Sequence, residues 1–187
     1  MNLRIAVLIF VAACITSALA QQPNISGAWN GAVCKGDGDM IVSRSPTLVP
    51  TVGYVHMELT PANSDNPDVR YDVDITIYDA TGKILDHHPI PYEPIHYGHG
   101  VQPSSSHPGG WFFQADSRDP SNHADGRVVS FSFSEKNGRN TGDGTYDHYV
   151  VSSSGNSQYV GDVWLIGIEN DGQSASQYIA AHRHPCP

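Results

Sequence analysis

The sequence predicts an all-β fold: an antiparallel meander closing into an up-and-down barrel, with a two-sheet β-sandwich as the alternative. Two observations predict it. Apolar and polar residues alternate with a period of two in several segments, while helical periodicity is almost absent. Hairpin-type turn signals separate those segments, at Ala80-Thr81-Gly82, Asp125-Gly126, Asn137-Gly138, Ser154-Gly155-Asn156 and Asn170-Asp171-Gly172. An open meander leaves two unpaired edges, and closure removes them.

The elements follow in order. Arg4 precedes an apolar run from Ile5 to Ile15, and Ala18-Leu19-Ala20 supplies a small-x-small cleavage pattern. This reads as a secretory signal peptide over 1–20, because the apolar run is short for a membrane span. A single β domain over 21–187 remains, destined for the extracellular space, or for the periplasm of a bacterium. Strands are expected at Ile25–Cys34, around Val55-Met57-Leu59, at Tyr71–Ile77, Gly110–Ala115, around Val129-Phe131-Phe133, and at Thr145–Ser152, Tyr159–Ile168 and Gln177–Arg183. Between Asp86 and Gly110 the density of Pro forbids regular pairing, so a long His- and Pro-rich surface loop is expected over 86–110. It holds five of the ten His residues. Loops of that length in a compact domain tend to carry function.

Charge and cysteine usage narrow the classes. The formal net charge is −9 with His neutral, which repels phosphate backbones and anionic lipid. Nucleic acid and membrane are therefore not expected as partners; a small-molecule ligand is. Cleavage would leave Cys34 and Cys186, and an even pair in an oxidising compartment reads as one disulfide bond. Asn24-Ile25-Ser26 is a glycosylation sequon at Asn24, used in a eukaryotic host.

The mature start, Asn24-Ile25-Ser26-Gly27-Ala28-Trp29-Asn30-Gly31, resembles the first-strand Gly-x-Trp signature of the calycins, the group of lipocalins and avidins. The resemblance is confined to the two chain ends. It implies an antiparallel barrel that binds a small ligand in its mouth. It also implies a barrel-closure pair in which Trp29 packs against a basic side chain near the last strand, here Arg183. No ligand contact carries over from the family.

Candidate chemistry is concentrated in the His-rich loop. Tyr92, His96, Tyr97, His99, His107 and Trp111 are the expected ligand-binding residues, ring-bearing groups beside a barrel mouth. His87, His88, His96 and His99 are imidazoles that suit zinc or copper, but the loop gives them no rigid support, so no metal and no other cofactor is expected. His148 is a candidate general base, although Asp147 faces the other way on a strand. A Gly-x-Ser-x-Gly elbow is missing and no Cys is left free, so no catalytic residue is assigned and a non-enzymatic role is favoured. The leading expectation is a secreted binding protein holding a small apolar or ring-bearing ligand in a barrel cavity. Its rivals are a barrel enzyme (a cyclase, isomerase or lyase using His and Tyr as acid and base) and a His-rich metal-binding protein.

Overall fold

Among the described residues of the computed structural model, which are 22–34, 52–62, 69–92, 98–105, 108–118, 125–151, 156–183 and 185–186, the alternation resolves into nine strands and one helix. The segment over 1–20 lies outside the described residues. The strands are β1 (Gly27–Cys34), β2 (Val52–Pro61), β3 (Tyr71–Asp79), β4 (Ile84–Ile90), β5 (Val101–Pro103), β6 (Trp111–Asp116), β7 (Asp125–Lys136), β8 (Arg139–Val151) and β9 (Ser157–Glu169). All pair antiparallel in one sheet of order β4-β3-β2-β1-β9-β8-β7-β6-β5. The sheet curls through 233° into a half-barrel. Two meanders, β1–β4 and β5–β9, are thus joined where the first strand meets the last. The opening falls between β4 and β5.

Local sequence explains the turns. Asn137 and Gly138 both take positive φ, 55° and 78°, as a two-residue hairpin turn between β7 and β8 requires. Asp79 holds the β3–β4 turn by accepting hydrogen bonds from the backbone of Thr81 (2.8 Å) and Lys83 (3.0 Å). Asp125-Gly126, expected as a turn, instead opens β7. Inward positions of the strands form one core: Trp29 and Val33, Val55, Met57 and Leu59, Tyr71, Val73, Ile75 and Ile77, Phe113, Val129, Phe131, Phe133, Tyr146 and Leu165. Trp29 packs across the barrel on Phe131 and Phe133, with ring centroids 5.1 and 5.6 Å apart, and Phe131 continues to Phe113 at 5.3 Å. Interlocked rings fill this part of the interior, which burial of large aromatic area strongly favours.

Three expectations are corrected. The segment Gln177–Arg183 is not a last strand but largely helix α1 (Ala175–Ala181), begun by a capping box in which Ser174 and Gln177 satisfy each other's backbone N–H groups. Helix α1 lies outside the sheet, with Tyr178 edge-on to Tyr54 of β2 at 6.3 Å. Arg183 follows it and is exposed, whereas Trp29 is fully buried and donates Nε1–H to the Ile25 carbonyl at 2.9 Å. The Trp29–Arg183 closure pair is therefore not formed. Finally, 86–110 is not one loop: β4 runs through Asp86–Ile90, and β5 occupies Val101–Pro103. Pro89 is tolerated because β4 is an edge strand with a single partner. The Cys34–Cys186 disulfide is present, tying the tail beyond α1 to the end of β1. No helix among the described residues is long and apolar enough to cross a membrane.

Candidate functional site

Between β4 and β5 no ladder forms, and the barrel is drawn together by other means. At one end a stretch of backbone stands in. His99 takes φ 60°, accepts the Tyr71 N–H on its carbonyl at 2.9 Å and donates its own N–H to the Gln114 carbonyl at 2.5 Å. Gly100 bridges to Arg70 beside it. The fully buried His99 ring completes the link: Asp116 N–H donates to Nε2 at 3.1 Å, which leaves Nδ1 to donate to the Tyr71 carbonyl at 2.9 Å. One side chain thus stitches β3 to β6.

At the other end, among the described residues, side chains cross the gap. Asp86 of β4 pairs in register with the inward Ile77, and so faces the interior. Its Oδ2 accepts a hydrogen bond from the Tyr146 hydroxyl of β8 at 2.9 Å and lies 3.5 Å from Nε of Arg127 on β7. The Arg127 side chain is only 5% exposed, and that of Asp86 18%. His148 stands opposite Arg127 in the β7–β8 register and is also buried. His88, two residues along β4 from Asp86, brings Nε2 to 3.3 Å from Ser117 Oγ. Burial first, and then the Asp86 carboxylate, push the Tyr146 phenol far above its ordinary range. Tyr146 therefore stays protonated and acts as a donor, not as a base. A charged pair, a phenol and the imidazoles of His88 and His148 share the inner surface of a largely apolar sheet.

The residues singled out from sequence are distributed unevenly around this seam. His99 is a structural stitch and its buried ring is not presented to a ligand. Tyr92 lies edge-on to it at 5.7 Å, with its backbone N–H bound to Asp72 at 2.7 Å. Trp111 is half-buried against the core. His96, Tyr97 and His107 lie outside the described residues. His87 and His88 fall on opposite faces of β4: His87 is exposed, with Nε2 2.6 Å from Asp74, while His88 turns inward. They cannot share one metal ion, and among the described residues no three His, Cys, Asp or Glu side chains form a metal-holding group. Asn24 is exposed, its Oδ1 accepting from Ser26 N at 3.0 Å.

Sequence reasoning missed Asp86, Arg127 and Tyr146. Asp86 was hidden by the loop reading. Arg127 did leave a signal, since it shares the face of Val129, Phe131 and Phe133 at two-residue spacing. A lone cation continuing an apolar face points to a buried counter-charge. The reading of His148 and Asp147 as facing apart holds: Asp147 pairs with Asp162 on the outer face, beside Arg118, which forks onto Asp116 and lies 4.6 Å over the Tyr149 ring.

Comparison of the chain with protein-family models, with curated proteins and with solved structures found no match.

Proposed function

We propose that this is a secreted, small-molecule-binding half-barrel of calycin-like design, whose ligand is held at the β4 end of the seam by Asp86, Arg127 and Tyr146. The observation that supports this reading is the inward-facing Asp86–Arg127–Tyr146 group in an apolar interior. Buried ion pairs commonly contribute less stability than apolar side chains of the same volume. Their presence is better accounted for by recognition of something polar than by folding alone. The ligand envisaged is ring-bearing, with a hydrogen-bond donor for the remaining lone pairs of the Asp86 carboxylate and the Tyr146 hydroxyl, and an apolar body for the neighbouring Val129 and Ile77. The Cys34–Cys186 bridge suits an oxidising compartment and so supports export.

The test is native mass spectrometry of the chain purified from its secretory source, beside the variant Asp86→Leu/Arg127→Met/Tyr146→Phe. The expected result is a small-molecule adduct on the natural protein, lost from the variant, with a melting temperature unchanged or raised. A variant that keeps the adduct, or that unfolds, would assign the group to seam closure instead.

A second reading is acid–base catalysis on the same residues. It is favoured by His148 standing directly across from Arg127 and two positions from Tyr146 on the same strand. In that case His148 is the base and Tyr146 the donor. Turnover of the copurifying molecule, abolished by His148→Gln, distinguishes an enzyme from a carrier.

A further inference from the structure

We infer a second, separate ligand site on the outer face where β7, β8 and β9 run side by side, suited to a neutral sugar ring. A groove of about 320 Å³ lies there, lined among others by Ser132, Ser134, Lys136, Thr141, Asp143 and Glu169. Ser132 and Ser134 alternate with the inward Phe131 and Phe133, so this groove is on the opposite side of the sheet from Asp86 and Tyr146. The site does not depend on the interior one.

Strand register gathers its groups. Ser134 stands opposite Thr141, and Ser132 opposite Asp143, which puts three hydroxyls and a carboxylate on two successive outward rungs. On the next outward rung Ser130 and Thr145 bond to each other at 3.2 Å. The hydroxyls of Ser132, Ser134 and Thr141 differ, because no protein group engages them among the described residues. Beside Asp143 the β8–β9 ladder slips by one residue, and Gly167 there takes φ 58°, which glycine adopts at little cost. Bulges of this kind re-aim neighbouring side chains. The Gly167 N–H donates to Asp143 Oδ1 at 2.7 Å, which fixes the carboxylate while Oδ2 has no protein donor among the described residues. A Cβ on Gly167 would meet nothing within 4 Å, so this side of the groove stands open.

This chemistry matches sugar hydroxyls. Each of them donates and accepts, as Ser and Thr do, and a fixed carboxylate takes the strongest of such bonds. Charge is balanced around the groove: Lys136 stands against Asp143, and Arg139 lies 3.7 Å from Glu169. Neither an anion nor a cation gains from the site as a whole, which favours a neutral ligand. Phe133, the one aromatic lining residue described, is buried, so recognition rests on hydrogen bonds and the affinity is expected on the order of millimolar. The volume stands at the small end of ligand pockets, which fits one ring and not a longer saccharide.

The test titrates the methyl glycosides of glucose, galactose and mannose into the full chain by ligand-observed NMR. Tetrahydropyranylmethanol, the same ring without its ring hydroxyls, is the control. One glycoside or more is expected to bind about tenfold tighter than the control. Asp143→Asn keeps an acceptor for the Gly167 N–H but removes the charge, and should weaken that glycoside about fivefold. Ser132→Ala/Ser134→Ala removes two exposed hydroxyls that no protein group uses, and should weaken it about threefold or more. Variants are compared only after circular dichroism shows the natural melting transition; if Asp143→Asn fails this, the serine variant decides. No glycoside binding to the folded natural chain, binding no tighter than the control, or binding unmoved by the folded variants would each overturn the site. Asp143→Asn should leave the interior small-molecule adduct in place, which separates the two proposals.

Discussion

The sheet has two joints, and they are built differently. Where β1 meets β9, backbone pairs Val33 with Leu165 and Cys34 with Trp164. The loop after β9 adds Asn170 Nδ2 donating to the Ser26 carbonyl at 3.1 Å, and Asp171 accepting from buried Asn30 at 2.8 Å. The disulfide then pins the tail to the same strand. Where β4 faces β5 the described residues show one bridging backbone stretch around His99, and beyond it Asp86, His88 and their partners. The first joint relies on repetitive, sequence-tolerant bonds and a covalent tie. The second relies on particular buried side chains, whose loss would leave charges or donors unsatisfied. Chemical specificity is therefore concentrated at the second joint, where the proposed ligand site lies.

That contrast can be broken in several ways. The largest effect is expected from Cys34→Ser/Cys186→Ser. The bridge closes a loop of sequence separation 152, so its loss should cost about 4–5 kcal/mol in the chain-entropy picture. Urea unfolding with and without reductant measures this, and a loss under about 1 kcal/mol would remove the disulfide as the support of the first joint. His99→Ala comes next, at about 3 kcal/mol, because it strands the Asp116 N–H and the Tyr71 carbonyl in a buried setting. Hydrogen exchange should accelerate at Tyr71 and Asp116 while Val33 and Leu165 stay protected; uniform acceleration would mean the joints do not open separately.

Asp86→Asn should cost about 2 kcal/mol, less than a fully buried pair because Asp86 keeps some contact with water. Asn still accepts from Tyr146 but leaves Arg127 without its counter-charge. The denaturant midpoint reads this loss, and an unchanged midpoint would show that the Asp86–Arg127 contact carries no weight at the seam.

The smallest effect is expected away from both joints. Burial, and then the adjacent Asp162 carboxylate, push Asp147 up to about 6, against the Thr145 hydrogen bond and Arg118. The folded state then holds a proton that the unfolded chain releases near pH 4, so this group makes stability fall as pH rises from about 4 to about 6. Asp147→Asn should gain on the natural chain above pH 6 and match it near pH 4. Melting temperatures across that range check it, and a gap persisting at pH 4 would assign the effect to something other than ionisation.

Legibility followed the range of the interactions. Strands β2, β3 and β7 were visible because alternation reports a two-faced sheet within a few residues. The β7–β8 hairpin was visible because Asn137-Gly138 supplies positive φ. Helix α1 was misread as a strand although its Ser174-x-x-Gln177 box was present, since seven residues give periodicity too little length to declare itself. The seam site was largely illegible. Asp86, Arg127 and Tyr146 are separated by 41 and 19 positions, and nothing local states that they meet.

By itself the sequence determined the all-β class, the most regular strands and turns, and the Cys34–Cys186 pairing, because each is fixed by neighbours along the chain or by simple parity. Only the tertiary structure decided that the opening lies between β4 and β5, that His99 stitches it and that Trp29 packs on phenylalanines. Those outcomes depend on which faces a curled sheet brings together. That is a sum over the whole core, not a property of any one segment.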